Sequence, residues 1–426
     1  MGIDFIYPLY GKIVKRYINK KPKFAYKLIK IGVSAEKVRC KILPDLKAPK
    51  GLRMINYYDM NSISDAWRNK EKAVWTNVFA PFEIMQALDM PCLSMEEYST
   101  ACALIDVADA YIDIAEGAGT PGSLCSFQRT FLGMLETGAL EPLGYAVTTS
   151  TVCDGNLGSF RYLSHKLGTP LTVLDVPQEN SEEDIKYLAD QLRELISKLE
   201  VVADKKLDME RLKEIIHNEN LSMAYYREFL ELSAEHIYPS SMLYHIHSVY
   251  PTHLGVGSEA AVKVFDKMRT EIKKYPNNKK TKRIFWVHTM PFYLKELGKI
   301  LNFNDKYNIQ VIDISLGHMD PLDEEHPIEA IASRLINNIF NRDYDRKVAR
   351  IEELVKLMKS DAVICFNHWG CKQAFGGTVH IKKRMAELGI PCLVIDGDGV
   401  DKRNSPEGQI KTRIEAFFEM LEQEDK

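Results

Sequence analysis

Three cysteines stand where a thiolate could do chemistry. Cys125 follows the loop Gly117 to Gly122 and opens a stretch of helical periodicity reaching Glu136. Cys153 ends the apolar run from Gly144 and opens the helix-like segment Asp154 to Leu167, and Cys371 ends the run from Asp361 and opens Lys372 to Leu388. A helix start leaves backbone N–H groups free, and these favour anions, a thiolate among them. Three thiolates meeting at one centre would leave a metal an open coordination position for substrate. Three thiols so far apart in the chain also read as unrelated buried cysteines. Cys92, Cys365 and Cys392 sit in apolar strand-like runs and Cys102 on a helix face, where core packing accounts for them; Cys40 carries no signal. There is no Cys-x-x-Cys pair, and eight scattered cysteines do not make a disulfide framework.

The segments around these cysteines read as strand, helix, strand. Asp361 to Gly399 has an apolar run, an amphipathic helix and a second apolar run closing on Asp396, which is a βαβ unit of a parallel sheet. Gly144 to Val176 has the same design: strand, cysteine, helix, Leu-Gly-x-Pro, apolar strand, Asp175. That repetition predicts an α/β protein with two related Rossmann- or flavodoxin-like parallel-sheet domains, whose ligands gather at the carboxyl ends of the strands. Further strands are expected at Ala73 to Phe79, Pro91 to Leu93, Ile284 to Thr289 and Ile309 to Ser315. Ser94 and Glu97 form a candidate capping box for a helix running to about Glu116. Ser181 to Tyr238 and Ser258 to Lys274 are helical in pattern, a polar linker spans 276–283, and a last helix covers Gln409 to Leu421. The expected division is a basic helical arm (1–70), a first α/β domain (71–180), a helical linking segment (181–280) and a second α/β domain (281–426).

Composition sets the class. The 426 residues are 45% hydrophobic and 27% charged with a net charge of -3, as in an ordinary soluble globular protein. No apolar run has the ~20 residues of a membrane span, and neither a secretory signal nor a myristoylation motif is recognisable, so a cytoplasmic location is expected. Residues 1–50 carry thirteen Lys or Arg against three Asp or Glu. Leu9 to Ile31 could form a basic amphipathic helix pair that meets a partner or an anionic surface, or a solvated arm packed on the body. No matching basic stripe elsewhere supports nucleic-acid binding.

With these residues in view the chain resembles the 2-hydroxyacyl-CoA dehydratase subunits, which are related to the benzoyl-CoA reductase subunits. The resemblance spans about residues 70 to 424. It rests on the order of the three cysteines, on Leu167-Gly-Thr-Pro-Leu-Thr-Val-Leu-Asp175, on Cys371-Lys372 with Gly389-Ile-Pro-Cys-Leu-Val-Ile-Asp396, and on the ending Gln409-Ile-Lys-Thr-Arg-Ile-Glu-Ala-Phe417. It implies a [4Fe-4S] cluster held by Cys125, Cys153 and Cys371 in a cleft between two α/β domains. It also implies an acyl-CoA substrate, a homologous second subunit or a second copy as partner, and an ATP-hydrolysing iron–sulfur activator that delivers one strongly reducing electron. The resulting ketyl radical anion can expel a 2-hydroxyl group that ordinary elimination could not. A benzoyl-CoA-reductase-like or other low-potential reductase subunit, or a non-catalytic companion subunit, are the alternatives.

By the same resemblance Thr76 stands at the place of an active-site Ser and Glu96 at that of an active-site Glu. A carboxyl kept protonated by burial could donate to a departing oxygen. The alternatives are a strand residue at Thr76 and a first-turn helix residue at Glu96. Asn367 and His368 could donate to cluster or substrate, and His288 either faces the same cleft or is a hydrogen-bonded structural histidine. The chain departs from its relatives in Thr148-Thr-Ser-Thr151, where paired Cys and Asn are common, and in Trp369-Gly370, where Arg-Ser is usual.

Overall fold

Short, buried runs of Val, Ile, aromatic and Thr residues form two separate parallel sheets in the computed structural model, which describes residues 3–276, 281–341 and 343–423. The first holds β1 (Val74–Thr76), β2 (Cys92–Ser94), β3 (Tyr145–Thr149) and β4 (Leu171–Leu174) in the order β2-β1-β3-β4. The second holds β5 (Lys282–Val287), β6 (Tyr307–Ile312), β7 (Ala362–His368) and β8 (Cys392–Gly397) in the order β6-β5-β7-β8. The two orders are one permutation, so the repeat legible in the sequence is a repeat of topology. In such an order the connections diverge between the first and third strands, and the crevice beyond their carboxyl ends is where ligands sit.

The chain begins with α1 (Ile3–Ile18), α2 (Pro22–Ile42) and α3 (Lys50–Arg68). Then come α4 (Phe82–Ala87), α5 (Met95–Leu104), α6 (Ala108–Gly117), α7 (Ser126–Glu136) and α8 (Asp154–Leu167) around the first sheet. The middle of the chain is α9 (Glu182–Ala203), α10 (Met209–Leu232), α11 (Met242–His247), α12 (Val249–Thr252) and α13 (Glu259–Glu271). Around the second sheet lie α14 (Lys295–Leu301), α15 (Pro327–Ile336), α16 (Tyr344–Leu357), α17 (Lys372–Phe375), α18 (Thr378–Glu387) and α19 (Glu407–Gln423).

The sequence expectations meet several corrections. β1 is three residues long, because Asn77 to Ala80 turns towards α4, with the Ala80 N–H on the Asn77 carbonyl. The Ser94–Glu97 capping box is present, but its helix stops at Leu104 and restarts as α6; Asp106, between them, has a left-handed φ of 61°. The expected helix Lys372 to Leu388 breaks at Gly376-Gly377. A Cβ at Gly377 would lie 2.1 Å from the Tyr344 ring, so glycine is what admits that ring. Part of the polar linker, residues 277–280, lies outside the described residues. Cys92, Cys102 and Cys365 are buried as packing residues, and Cys392 lies with its sulfur 3.9 Å from that of Cys365.

The halves interlock. One face of the first sheet is covered by α5 to α8 together with Val14, Ile18 and Ile29 of the arm. The basic arm is therefore packed on the body, and Lys15–Asp109 and Lys30–Glu141 ion pairs hold its charged side. Full burial of such aliphatic side chains stabilises by ~1.5–3 kcal/mol each. The other face is covered by α4, α9 and α10, and also by α15, which comes from between β6 and β7. There Arg334 Nε lies 2.6 Å from Glu83 Oε1, both side chains buried. Conversely Leu52 and Ile55 of α3 join the core of the second sheet. Among the described residues no helix is long and apolar enough to cross a membrane.

The crossing of α6 and α7 positions Cys125, and it depends on Gly133, where a Cβ would lie 1.8 Å from the Tyr111 carbonyl oxygen. Gly133→Ala is expected to cost ~1–3 kcal/mol in urea unfolding, the range for overpacking. Gly158→Ala, on α8 with nothing within 4 Å of its Cβ, should be neutral or slightly stabilising.

Candidate functional site

The carboxyl ends of β1, β3, β5 and β7 open on one cavity of about 430 Å3. Cys125, Cys153 and Cys371 all line it. Val78 and Phe79 reach it after β1, Val152 after β3, His288 and Thr289 after β5, and His368 from the end of β7. Both switch points therefore face the same space.

Each thiol sits at the residue that begins a helix: Cys125 before α7, Cys153 before α8 and Cys371 before α17. The approach of the halves is set by Gly370, whose φ is 77°; a Cβ there would lie 2.6 Å from the Cys125 nitrogen. No side chain fits between them. Val152 and His288 also have φ of 76°, a region that a β-branched residue enters only under strain. Both of these strained residues line the cavity.

Burial pushes the Cys125 thiol well up, and the neighbouring Cys371 and Cys153 push it further. Burial raises Cys153 to about 11 and also raises Cys371, against the pull of the Gln373 and Ala374 amides and Lys347. The three sulfurs are close enough to feel each other's charge and would lose their protons together only beside compensating positive charge. Among the described residues no group of three or more His, Cys, Asp or Glu is placed to hold a single metal ion.

Two histidines join the sulfurs. His368 Nδ1 accepts from the Gly399 N–H at 2.9 Å, which leaves its proton on Nε2, 3.1 Å from the Cys125 sulfur. That N–H points at sulfur as a donor. Burial holds His368 below the usual imidazole range, in keeping with a neutral ring. His288 Nε2 lies 3.5 Å from the Cys371 sulfur, and the two rings stack at 5.8 Å. His288 Nδ1 is buried without a partner, so of the two alternatives raised by the sequence it is the cleft-facing one. Behind it the His288 N–H donates to Asp313, whose carboxylate faces Lys347 at 3.1 Å with both side chains fully buried. That ion pair gives no sequence signal, since Lys347 reads as a polar position of α16.

Glu96 lines the cavity, accepts from the Ser94 hydroxyl at 2.7 Å, and lies near enough to Cys153 to act on its charge. Burial raises its pKa to about 7, with Ser94, its own amide and Asn156 pulling the other way. Thr76, by contrast, is fully buried with no partner for its hydroxyl and is not among the lining residues. Asn367 is also set back, its amide on Asp396 at 2.9 Å and its carbonyl taken by Thr378. So the structure brings together Cys125, Cys153, Cys371, Glu96 and His368, and holds Thr76 and Asn367 behind the wall. Asp59, Glu97 and His247 also reach the cavity, far apart in sequence and therefore missed.

A family model described as 2-hydroxyglutaryl-CoA dehydratase, D-component, matches residues 77–421. The (R)-phenyllactyl-CoA dehydratase alpha subunit of Clostridium sporogenes is 23% identical over 406 residues, covering 90% of this chain and 98% of that one. The (R)-2-hydroxyisocaproyl-CoA dehydratase alpha subunit of Clostridioides difficile is 24% identical over 88% of this chain and 96% of its own. One of the benzoyl-CoA reductase subunits of Thauera aromatica is 22% identical over 72% of this chain and 79% of its own.

Removing one member of the Lys347–Asp313 pair strands a buried charge behind His288. Lys347→Met is expected to cost ~3–5 kcal/mol in chemical denaturation. Pairing it with Asp313→Asn should restore most of that loss.

Proposed function

The chain belongs to the 2-hydroxyglutaryl-CoA dehydratase D-component family, and on that premise we propose that it is a subunit of a 2-hydroxyacyl-CoA dehydratase, a lyase that removes water from a 2-hydroxyacyl-CoA thioester. Its cofactor in this reading is a [4Fe-4S] cluster on Cys125, Cys153 and Cys371. The observation that carries the reading is the arrival of three thiols from two domains, with a raised-pKa carboxyl, on one cavity. Soft thiolates at three places on one cavity wall are the ligand type that iron–sulfur centres take. When bound, such a cluster supplies a Lewis-acidic iron for the thioester carbonyl and a path for one electron from an ATP-hydrolysing activator.

The chain's own residues do the rest. His368 directs its Nε2–H at the Cys125 sulfur and spreads charge away from it. The Phe79, Val152 and Phe127 side chains keep the cavity dry. Glu96, uncharged in half or more of the molecules up to about pH 7, holds a proton for the departing 2-hydroxyl group, with Ser94 fixing its Oε2. The relatives named as alpha subunits support a homologous partner subunit, or a second copy, for this chain. The relative from a benzoyl-CoA reductase keeps a low-potential reductase as the second reading, but an acid beside the cavity serves loss of hydroxide more directly.

Anaerobically purified protein should carry about four iron and four acid-labile sulfide per chain, lost in Cys125→Ser, Cys153→Ser and Cys371→Ser. Protein that stays metal-free after anaerobic reconstitution would falsify the cluster assignment. Glu96→Gln should keep its iron and lower the dehydration rate by ~10²–10⁴, the usual contribution of a positioned acid. Because the raised pKa belongs to a donor, the wild-type rate should fall as pH rises through about 7, and the variant should lack that limb.

A further inference from the structure

The thiols share their cavity with the basic arm, which supplies part of its wall. Tyr10, Ile29, Val33, Met60 and Ile63 line it from α1, α2 and α3, all before residue 77, where the family match begins. Ile29, Val33, Met60 and Ile63 are otherwise buried, and Leu104 and Ile105 face them from the end of α5. Arg39 is the one Lys or Arg among the described lining residues. It is already taken, with Glu36 holding its Nε at 2.7 Å and its Nη2 at 2.6 Å. The other charged groups on the wall are carboxyls. Asp59 Oδ2 engages His247 Nδ1, and the buried Asp59 and Glu97 carboxyls lie against each other.

We infer that helices α1 to α3 supply the apolar wall that receives the acyl group and select an uncharged, apolar acyl group over a dicarboxylic one. The inference rests on the thioester reading above and adds to it the class of acyl group and the element that chooses it. An apolar side chain entering here leaves water for a surface of Ile, Val, Leu and Met. A second carboxylate would be buried with no free Lys or Arg on the described wall to meet it. The cavity falls within the ~300–1,000 Å3 typical of small-molecule sites. The arm's packing on the body then has a purpose besides stability, because displacing it would remove that wall.

Titration calorimetry on anaerobically purified protein reads this without turnover, using 4-methylpentanoyl-CoA, 3-phenylpropanoyl-CoA, propanoyl-CoA, glutaryl-CoA and free CoA. The first two are expected to bind about tenfold or more tighter than glutaryl-CoA, a factor of ten being 1.4 kcal/mol. Val33→Phe and, separately, Met60→Trp enlarge side chains on the arm's part of the wall. Each should weaken the two bulky thioesters by about tenfold and leave propanoyl-CoA within about twofold, with a thermal melt confirming that the variant is folded. Equal affinity for glutaryl-CoA and 4-methylpentanoyl-CoA, or folded variants that bind the bulky thioesters as the wild type does, overturns the inference and leaves the thioester reading standing. Thioesters that bind no better than free CoA overturn both.

Discussion

Two sheets built from separate parts of a chain can share a site only if their strand ends come within reach of one another, and here that reach is set by backbone against backbone. Gly370 packs on the nitrogen and Cα of Cys125, so the third thiol is placed by contact with the first rather than by its own domain alone. The contact is braced by Asp398, fully buried after β8. It accepts from the Ser126 hydroxyl at 2.5 Å and from the Val400 and Asp401 amides at 2.8 and 2.9 Å. Ser126 belongs to the first domain and the other donors to the second. The same turn supplies the Gly399 N–H that fixes the tautomer of His368. Closure of the halves and the direction of a proton at sulfur are therefore one arrangement.

Buried charge elsewhere in the molecule serves placement more than stability. Desolvating Lys347 and Asp313, or Arg334 with Glu83 and Glu219, costs about as much as the attraction returns. What each pair does is hold one element at one register. Asp313 receives the N–H of His288, a residue held at a strained φ, and Arg334 ties α15 of the second half to α4 of the first. An apolar replacement of equal volume could fill the same space without specifying which backbone amide it must meet.

The sequence carried the architecture well and the site in part. A repeated pattern of strand, cysteine, helix and Leu-Gly-x-Pro was enough to expect two related α/β domains, and the shared strand order bears that out. It could not show that α15 crosses to the first sheet or that α3 enters the core of the second, because an amphipathic helix announces its apolar face and not its partner. Helix breaks at Asp106 and Gly377 were missed for a similar reason. Periodicity continues through them, and only a ring or a neighbouring helix decides that the backbone must turn. At the site, residues at strand ends and helix starts were legible because topology alone sends them to one crevice. Asn367 and His368 were both expected there for lying beside Cys371, but successive strand residues point to opposite faces, and the Asn367 side chain is engaged with Asp396 and Thr378. Asp59 and His247 lie 188 positions apart and come together only when α3 and α11 pack.

Strain at Val152 and His288 fits the same picture. Each unfavourable φ costs ~1–3 kcal/mol for a residue other than glycine, and both fall in a loop that leaves a strand for the cavity. Relaxing them would swing Cys153 or His288 out of the space they share. The interlocked cores oppose that relaxation: neither domain can shift its strand ends without dragging α15 or α3 out of the other's core. A cavity walled by two domains and the arm keeps its shape only while all three stay in place. The arm, through Ile29, Val33, Met60 and Ile63, is part of the wall that the three thiols share.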